Sequence, residues 1–193
     1  VTTQDGERID LLGYGVRPTE QLTKLTERIQ KNRIERAEKM IDLIEDETGV
    51  RLDYTPKSNT GRPHIARAIE EDNILEYDYE DAFETLIGSD CPCYTHRDIP
   101  GFQEGISVLN NAANFVSLAH PYRYNSPRNV LKLSKQLEGV ECQYPYESKG
   151  FPMNIETDLS YLAADWFDLA ITGGSDSHEP ATIGTEGLTK TQY

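Results

Sequence analysis

Residues 172–180 read TGGSDSHEP, directly behind the apolar run WFDLAI of Trp166–Ile171. Such a run is the approach to a buried strand. Two glycines at its end let the backbone turn sharply or come close to a neighbour. Asp176 and His178 then fall at the carboxyl end of that strand, the edge on which α/β proteins build their sites. Both side chains are ligands for divalent metals, and residues two apart in an extended chain share a face. A polar turn in which Asp176 caps a following helix accounts for the same letters, so this stretch alone leaves two readings open.

Outward from it, helix and strand patterns alternate. FQEGISVLNNA (102–112) reads as a helix, NFVSLAHP (114–121) as a strand, SPRNVLKLSKQL (126–137) as a helix and GVECQYP (139–145) as a strand. DLSYLAADW (158–166) is again helical and FDLAITGG (167–174) again a strand. The alternation implies parallel strands joined by crossover helices, an α/β barrel or open sheet. Near the start, RIDLLGYGV (8–16) reads as a strand with a Gly-rich end. From Thr19 to Glu47, Leu22, Leu25, Ile29, Ile34, Met40, Ile41 and Ile44 recur near helical spacing, and Gly49 ends the run. YTPKSNTGRP (54–63) is a turn region leading into a short helix through Ala66 and Ile69, and DYEDAFETLIG (78–88) is a helix closed by Gly88. The organisation expected is a strand segment at 1–16, a mostly helical insertion at 17–101 and an alternating α/β half at 102–193.

Composition sets bounds. The chain has 193 residues, 37% of them hydrophobic, enough for one domain with an insertion and a real core. No apolar run spans a membrane and no signal-peptide pattern is present. A net charge of −14, from 33 acidic and 19 basic residues, argues against general binding to duplex DNA. Cations focused in a cleft would still admit nucleotides. The acidic surplus resembles that of a salt-adapted protein. Three cysteines, Cys91, Cys93 and Cys142, without a secretory signal point to reduced thiols and a cytoplasmic location. CPCYTH (91–96) lacks the paired spacing of a zinc site, and no structural zinc is expected there.

The four histidines are not scattered. His120 lies at one predicted strand end, His178 at another, His64 at the start of a helix behind a Gly-rich loop, and His96 in YTHRD. Parallel strands would bring His120, Asp176 and His178 to one edge, which favours metal over isolated structural roles. For His96 a surface position is expected, and Glu141, at the end of GVE, suits either the site or the core.

GRPHIARAI (61–69), VSLAHPYRY (116–124), GVECQYP (139–145) and AITGGSDSH (170–178), in that order, resemble the PHP (polymerase and histidinol phosphatase) family of metal-dependent phosphoesterases. The match is to its branch with a helical insertion and a GRPHIA loop, and it covers nearly the whole chain. The resemblance implies a distorted (β/α)7 TIM-like barrel with two or three divalent metals (Mn, Zn or Fe) at the carboxyl ends of its strands. It implies His64 and His120 as ligands sharing one metal with a glutamate, Asp176 as a ligand of the metal otherwise held by an H-x-H pair, and His178 as a ligand of the third. Arg62 and Arg97 would hold substrate phosphate, since a guanidinium matches phosphate oxygens bidentately.

The chain departs from the family in lacking the H-x-H strand, the Asp and His ligands that follow it, and the glutamate that would precede Val1. The expectation is a fragment of a complete enzyme, favoured by the non-methionine start, or a shortened, catalytically incomplete protein acting as a binding or interaction module, with little or no phosphatase activity from these 193 residues alone. For the complete protein the resemblance implies metal-activated water hydrolysing phosphate esters of nucleotides or short RNA ends. An amidohydrolase cleaving C–N bonds shares the barrel and the His/Asp logic, and the arginine of the GRPHIA loop argues against it.

Overall fold

The structure is a computed structural model that describes residues 1–151 and 159–188. The chain divides into two compact units, one formed by Val1–Leu22 with Pro100–Tyr193, the other by Thr23–Ile99. The first is a mixed α/β unit. Its sheet has the linear order β1-β2-β3-β4, with β1 at Leu11–Tyr14, β2 at Phe115–Leu118, β3 at Gly139–Gln143 and β4 at Ala170–Gly173. β2, β3 and β4 are parallel, in the registers Leu118↔Val140 and Val140↔Ile171. β1 differs: it runs antiparallel to β2, with Leu11 opposite Leu118 and Tyr14 opposite Phe115. Among the described residues β1 and β4 are the edges of this sheet, where a closed barrel would have none.

The parallel strands are linked as the alternation requires. With α1 (Glu20–Thr48), α2 (Arg62–Glu71) and α3 (Tyr79–Ala82) preceding it in the chain, α4 (Phe102–Ala112) leads into β2. Helix α5 (Pro127–Leu133) joins β2 to β3, and α6 (Leu159–Phe167) lies between β3 and β4. Strand period two then sorts the side chains. Val116 and Leu118 of β2 and Val140 and Cys142 of β3 join Phe102, Ile106, Val130, Leu131, Ala163 and Ala164 of the helices in one buried cluster. Each large aliphatic chain buried there contributes about 1.5–3 kcal/mol relative to exposure. The intervening positions carry Ser117, Glu141 and Thr172, polar and also buried. The hydroxyls of Ser117 and Thr172 satisfy each other at 2.8 Å. This sheet is therefore buried on both faces, apolar under the helices and polar on the other.

The second unit is helical. Only the later half of α1 is buried, through Ala37, Met40, Ile41 and Ile44. These pack with Leu52, with Ile65, Ala66, Ala68 and Ile69 of α2, and with Ala82, Leu86, Ile87 and Cys93. The segment read as one helix up to Gly88 starts as α3 under an Asp78 cap, whose carboxylate accepts the Glu80 and Asp81 N–H groups at 2.8 Å each. It then widens into a π-turn at Phe83–Ile87. None of the helices is long and apolar enough to cross a membrane, among the described residues.

Candidate functional site

His120 follows β2 and Asp176 follows β4, so parallel pairing delivers both to one edge of the sheet. Glu141 sits within β3 on the polar face. Its Oε2 accepts the backbone N–H of His120 at 2.8 Å, tying the end of β2 to β3. This bond holds His120 at φ 22° and ψ 65°, a conformation few non-glycine residues adopt. Glu141 is 4% exposed, and burial pushes its carboxyl up to about 7, against the partial relief of the His120 N–H bond.

The paired glycines of TGGSDSH serve close approach. A Cβ on Gly173 would lie 2.6 Å from Gln143 Cβ, and one on Gly174 would lie 3.2 Å from Glu141 Oε1. Their absent side chains leave room for the end of β3 and for the buried carboxylate beside it.

The His120 ring lies between Tyr124 and Tyr144, with centroids 5.4 and 5.2 Å away. Burial holds its pKa below the ordinary imidazole value, which keeps it neutral and so in the form that binds metals. Its Nδ1 is buried with no hydrogen-bond partner among the described residues. Its Nε2 stands 3.6 Å from Asp10 Oδ2. Asp10 is a member of the cluster that the sequence did not disclose. It precedes β1, and only the antiparallel pairing of β1 places it beside the end of β2, where its carbonyl accepts the Ala119 N–H at 3.1 Å and its own N–H donates to the Tyr124 hydroxyl at 2.8 Å.

Asp176 has φ 44°. Its Oδ2 accepts from Arg123 Nη1 at 2.8 Å and from the Tyr144 hydroxyl at 2.9 Å, with Lys149 Nζ at 3.5 Å. Burial alone would raise its pKa. The Tyr144 hydrogen bond and the charge of Lys149 outweigh that and hold it below the ordinary carboxylate value. Tyr144 itself is pushed up to about 12, by burial first and then by the Asp176 bond. His178 is exposed, and its Nδ1 donates to the Asp176 carbonyl at 2.8 Å, which leaves Nε2 with the lone pair.

His64, Arg62 and Arg97 belong to the helical unit. His64 Nδ1 accepts the Gly61 N–H at 3.1 Å, so the His64 side chain caps the first turn of α2 from its third position, without a reciprocal bond from the glycine. In the neutral ring this puts the proton on Nε2. Arg62 donates to the Ile87 carbonyl at 3.3 Å, and its guanidinium lies 5.6 Å from the Phe83 ring and 5.4 Å from the Tyr94 ring. Arg97 is partly buried and His96 is exposed. Cys93 is fully buried, and burial raises its thiol to about 11. Cys91 Sγ donates to the Glu84 carbonyl at 3.1 Å.

A neutral imidazole whose Nε2 faces a carboxylate oxygen has the donor chemistry of part of a divalent-ion site, and His120 with Asp10 supplies that part. Among the described residues no three His, Cys, Asp or Glu side chains form a group that would hold a metal by themselves.

No family model and no curated protein matches the chain. Solved structures that share its fold include two hydrolases. One is a presumed metal-dependent phosphoesterase from Bifidobacterium adolescentis, 22% identical, with a TM-score of 0.69 over 96% of this chain and 71% of the other. The second is an amidohydrolase from Chromobacterium violaceum with bound sulfate and no metal, 20% identical, with a TM-score of 0.68 over 96% of this chain and 68% of the other. At these identities the likeness is one of fold: the chain has the α/β architecture found in both hydrolases.

Proposed function

We propose that this chain has a fold of the PHP barrel type and serves a metal-dependent phosphoesterase acting on small phosphorylated substrates such as nucleotides or short RNA ends. The observation that carries the reading is the convergence of Asp10, His120, Glu141 and Asp176 at one edge of the mixed sheet, with His120 kept neutral by burial. His120 and Asp10 would supply part of the ligand set of a divalent ion of the Mn, Fe or Zn kind, and Asp176, by resemblance, would be a further ligand. Such an ion, when bound, supplies an activated water and positive charge for the phosphate oxygens. Glu141 fixes the backbone that carries His120. His178 adds a ligand nitrogen at Nε2. Arg62 and Arg97, by resemblance, hold substrate phosphate, and His64, also by resemblance, is a ligand once its Nδ1 gives up the Gly61 N–H or its Nε2 gives up its proton. The acidic balance of the chain favours small substrates over long nucleic acid, and its three free cysteines suit the cytoplasm.

The test is hydrolysis of p-nitrophenyl phosphate, bis-p-nitrophenyl phosphate and a nucleoside 3′,5′-bisphosphate, with Mn²⁺ and after chelation, beside a panel of N-acyl amides. Metal-dependent release of phosphate or nitrophenol, lost in His120→Ala, is the expected result. Turnover of the amides alone would move the chain to the amidohydrolases. Binding of a bisphosphate without turnover of any ester would leave a binding module.

A further inference from the structure

We propose that Arg123, Tyr144 and Lys149 form an oxyanion cradle for a substrate phosphate, and that Asp176 fills it with its own carboxylate until the phosphate takes its place. The inference deepens the phosphoesterase reading and rests on it for the identity of the anion.

Three donors from three segments meet at one oxygen, Asp176 Oδ2: Arg123 Nη1 at 2.8 Å, the Tyr144 hydroxyl at 2.9 Å and Lys149 Nζ at 3.5 Å. Arg and Lys have no acceptor capacity, so the point they address calls for an anionic oxygen. Two such cations on one atom are notable in a chain with 19 basic against 33 acidic residues. The group is not an ordinary surface pair, since the Lys149 and Asp176 side chains are each only 27% exposed.

The donors are held by contacts that do not involve the Asp176 carboxylate. Lys149 Nζ donates to the Asp176 backbone carbonyl at 2.7 Å and stands 5.6 Å from the Tyr144 ring. The Arg123 guanidinium lies 5.8 Å from the Phe151 ring, and its Nη1 donates to the Tyr144 hydroxyl at 3.2 Å. Tyr144 is 5% exposed and packs on Tyr146, with centroids 4.6 Å apart. Removing the carboxylate therefore leaves a donor set still aimed at the same point. Charge selects the occupant. A carboxylate brings one negative charge to two cations, whereas a phosphate monoester dianion matches both.

The test uses the full chain in chelator-treated, metal-free buffer, with inorganic phosphate as the probe and titration calorimetry as the readout. Asp176→Asn removes the internal anion while keeping a residue tolerant of positive φ. It should bind phosphate about 10-fold tighter than the unsubstituted chain. Adding Lys149→Met should abolish that gain. Circular dichroism and the unfolding transition establish that each variant is folded, and Asp176→Gly, which suits φ 44°, replaces Asn if needed. An Asp176→Asn chain that binds phosphate no more tightly, or a double variant that keeps the gain, overturns the cradle. Metal-dependent hydrolysis is scored separately: its absence alongside tighter phosphate binding removes the phosphoesterase reading and leaves the cradle standing.

Discussion

Replacing Glu141 by glutamine should stabilise the metal-free protein, and by an amount that depends on pH in a defined way. The carboxyl is 4% exposed and titrates near 7 in the folded chain, against an ordinary 4.5. The difference means that ionising it in place costs about 3 kcal/mol more than ionising it in the unfolded chain. Between pH 4.5 and 7 the unfolded chain has lost this proton and the folded chain retains it. Stability is thus fully present below pH 4.5, falls as pH rises, and levels off above 7. Glutamine mimics the protonated carboxyl, and its carbonyl oxygen still accepts the His120 N–H. Urea denaturation in chelator at pH 4.5 and pH 8 should then give Glu141→Gln a stability close to the unsubstituted chain at the lower pH and about 3 kcal/mol greater at the higher. Other groups titrate alike in both chains and cancel in the difference. A gap that does not change with pH, or a glutamine variant less stable at pH 8, would refute the assignment of Glu141 as a carboxyl strained by burial.

Four further outcomes follow from the same geometry. Gly173→Ala sets a Cβ 2.6 Å from Gln143 Cβ and 3.0 Å from its carbonyl oxygen, and should cost about 1–3 kcal/mol in a thermal melt. Ser117→Ala and Thr172→Val should each cost about 1–2 kcal/mol by orphaning the other buried hydroxyl, and the double variant should cost clearly less than their sum in denaturant titrations. His64→Ala should lower the stability of the helical unit by about 1 kcal/mol through loss of the α2 cap, even without metal, and His64→Asn should restore part of it. Ellman's reagent at pH 8 should titrate at most Cys91 in the folded chain, because burial lifts Cys93 and Cys142 to about 11, and all three after unfolding.

Elements whose identity rests on local pattern were legible in the sequence. The segment 102–112 has apolar residues at helical spacing and is helix α4 over that same span. The three short apolar runs of the alternating region are β2, β3 and β4, and their parallel pairing follows from the helices between them. The direction of β1 was not legible. Its partner β2 lies some hundred residues on, and no turn or crossover of defined length fixes the sense of pairing. Asp10 was missed for that reason, since it joins the cluster only through the antiparallel register. Arg123 and Lys149 escaped notice because each stands in a loop where a lone cation normally faces solvent. The PYRY that follows His120 was the available signal, as a 3-10 turn at Pro121–Arg123 brings Arg123 back toward the strand ends. The widening of the 78–88 helix into a π-turn likewise has no mark in its periodicity.

The polar face of the sheet makes sense of these pieces together. A strand buried on both sides ordinarily carries aliphatic residues on both. Here Ser117, Glu141 and Thr172 occupy one face, and burying polar groups costs stability unless each is paired. The hydroxyls solve this by bonding to each other, and Glu141 solves it by taking the His120 N–H and remaining largely protonated up to about pH 7. Asp176 solves it by drawing in two cations and a phenol. A divalent cation arriving at His120 and Asp10 would favour the ionised form of Glu141, and a phosphate dianion arriving at Arg123 and Lys149 would relieve them of Asp176. Each charge offsets the cost that the other imposes. Phosphate affinity in the unsubstituted chain should therefore rise when Mn²⁺ is added and Mn²⁺ affinity should rise by the same factor with phosphate, as linkage demands. Independent binding of the two would mean that the cradle and the histidine cluster, although neighbours on one sheet edge, do not share a site.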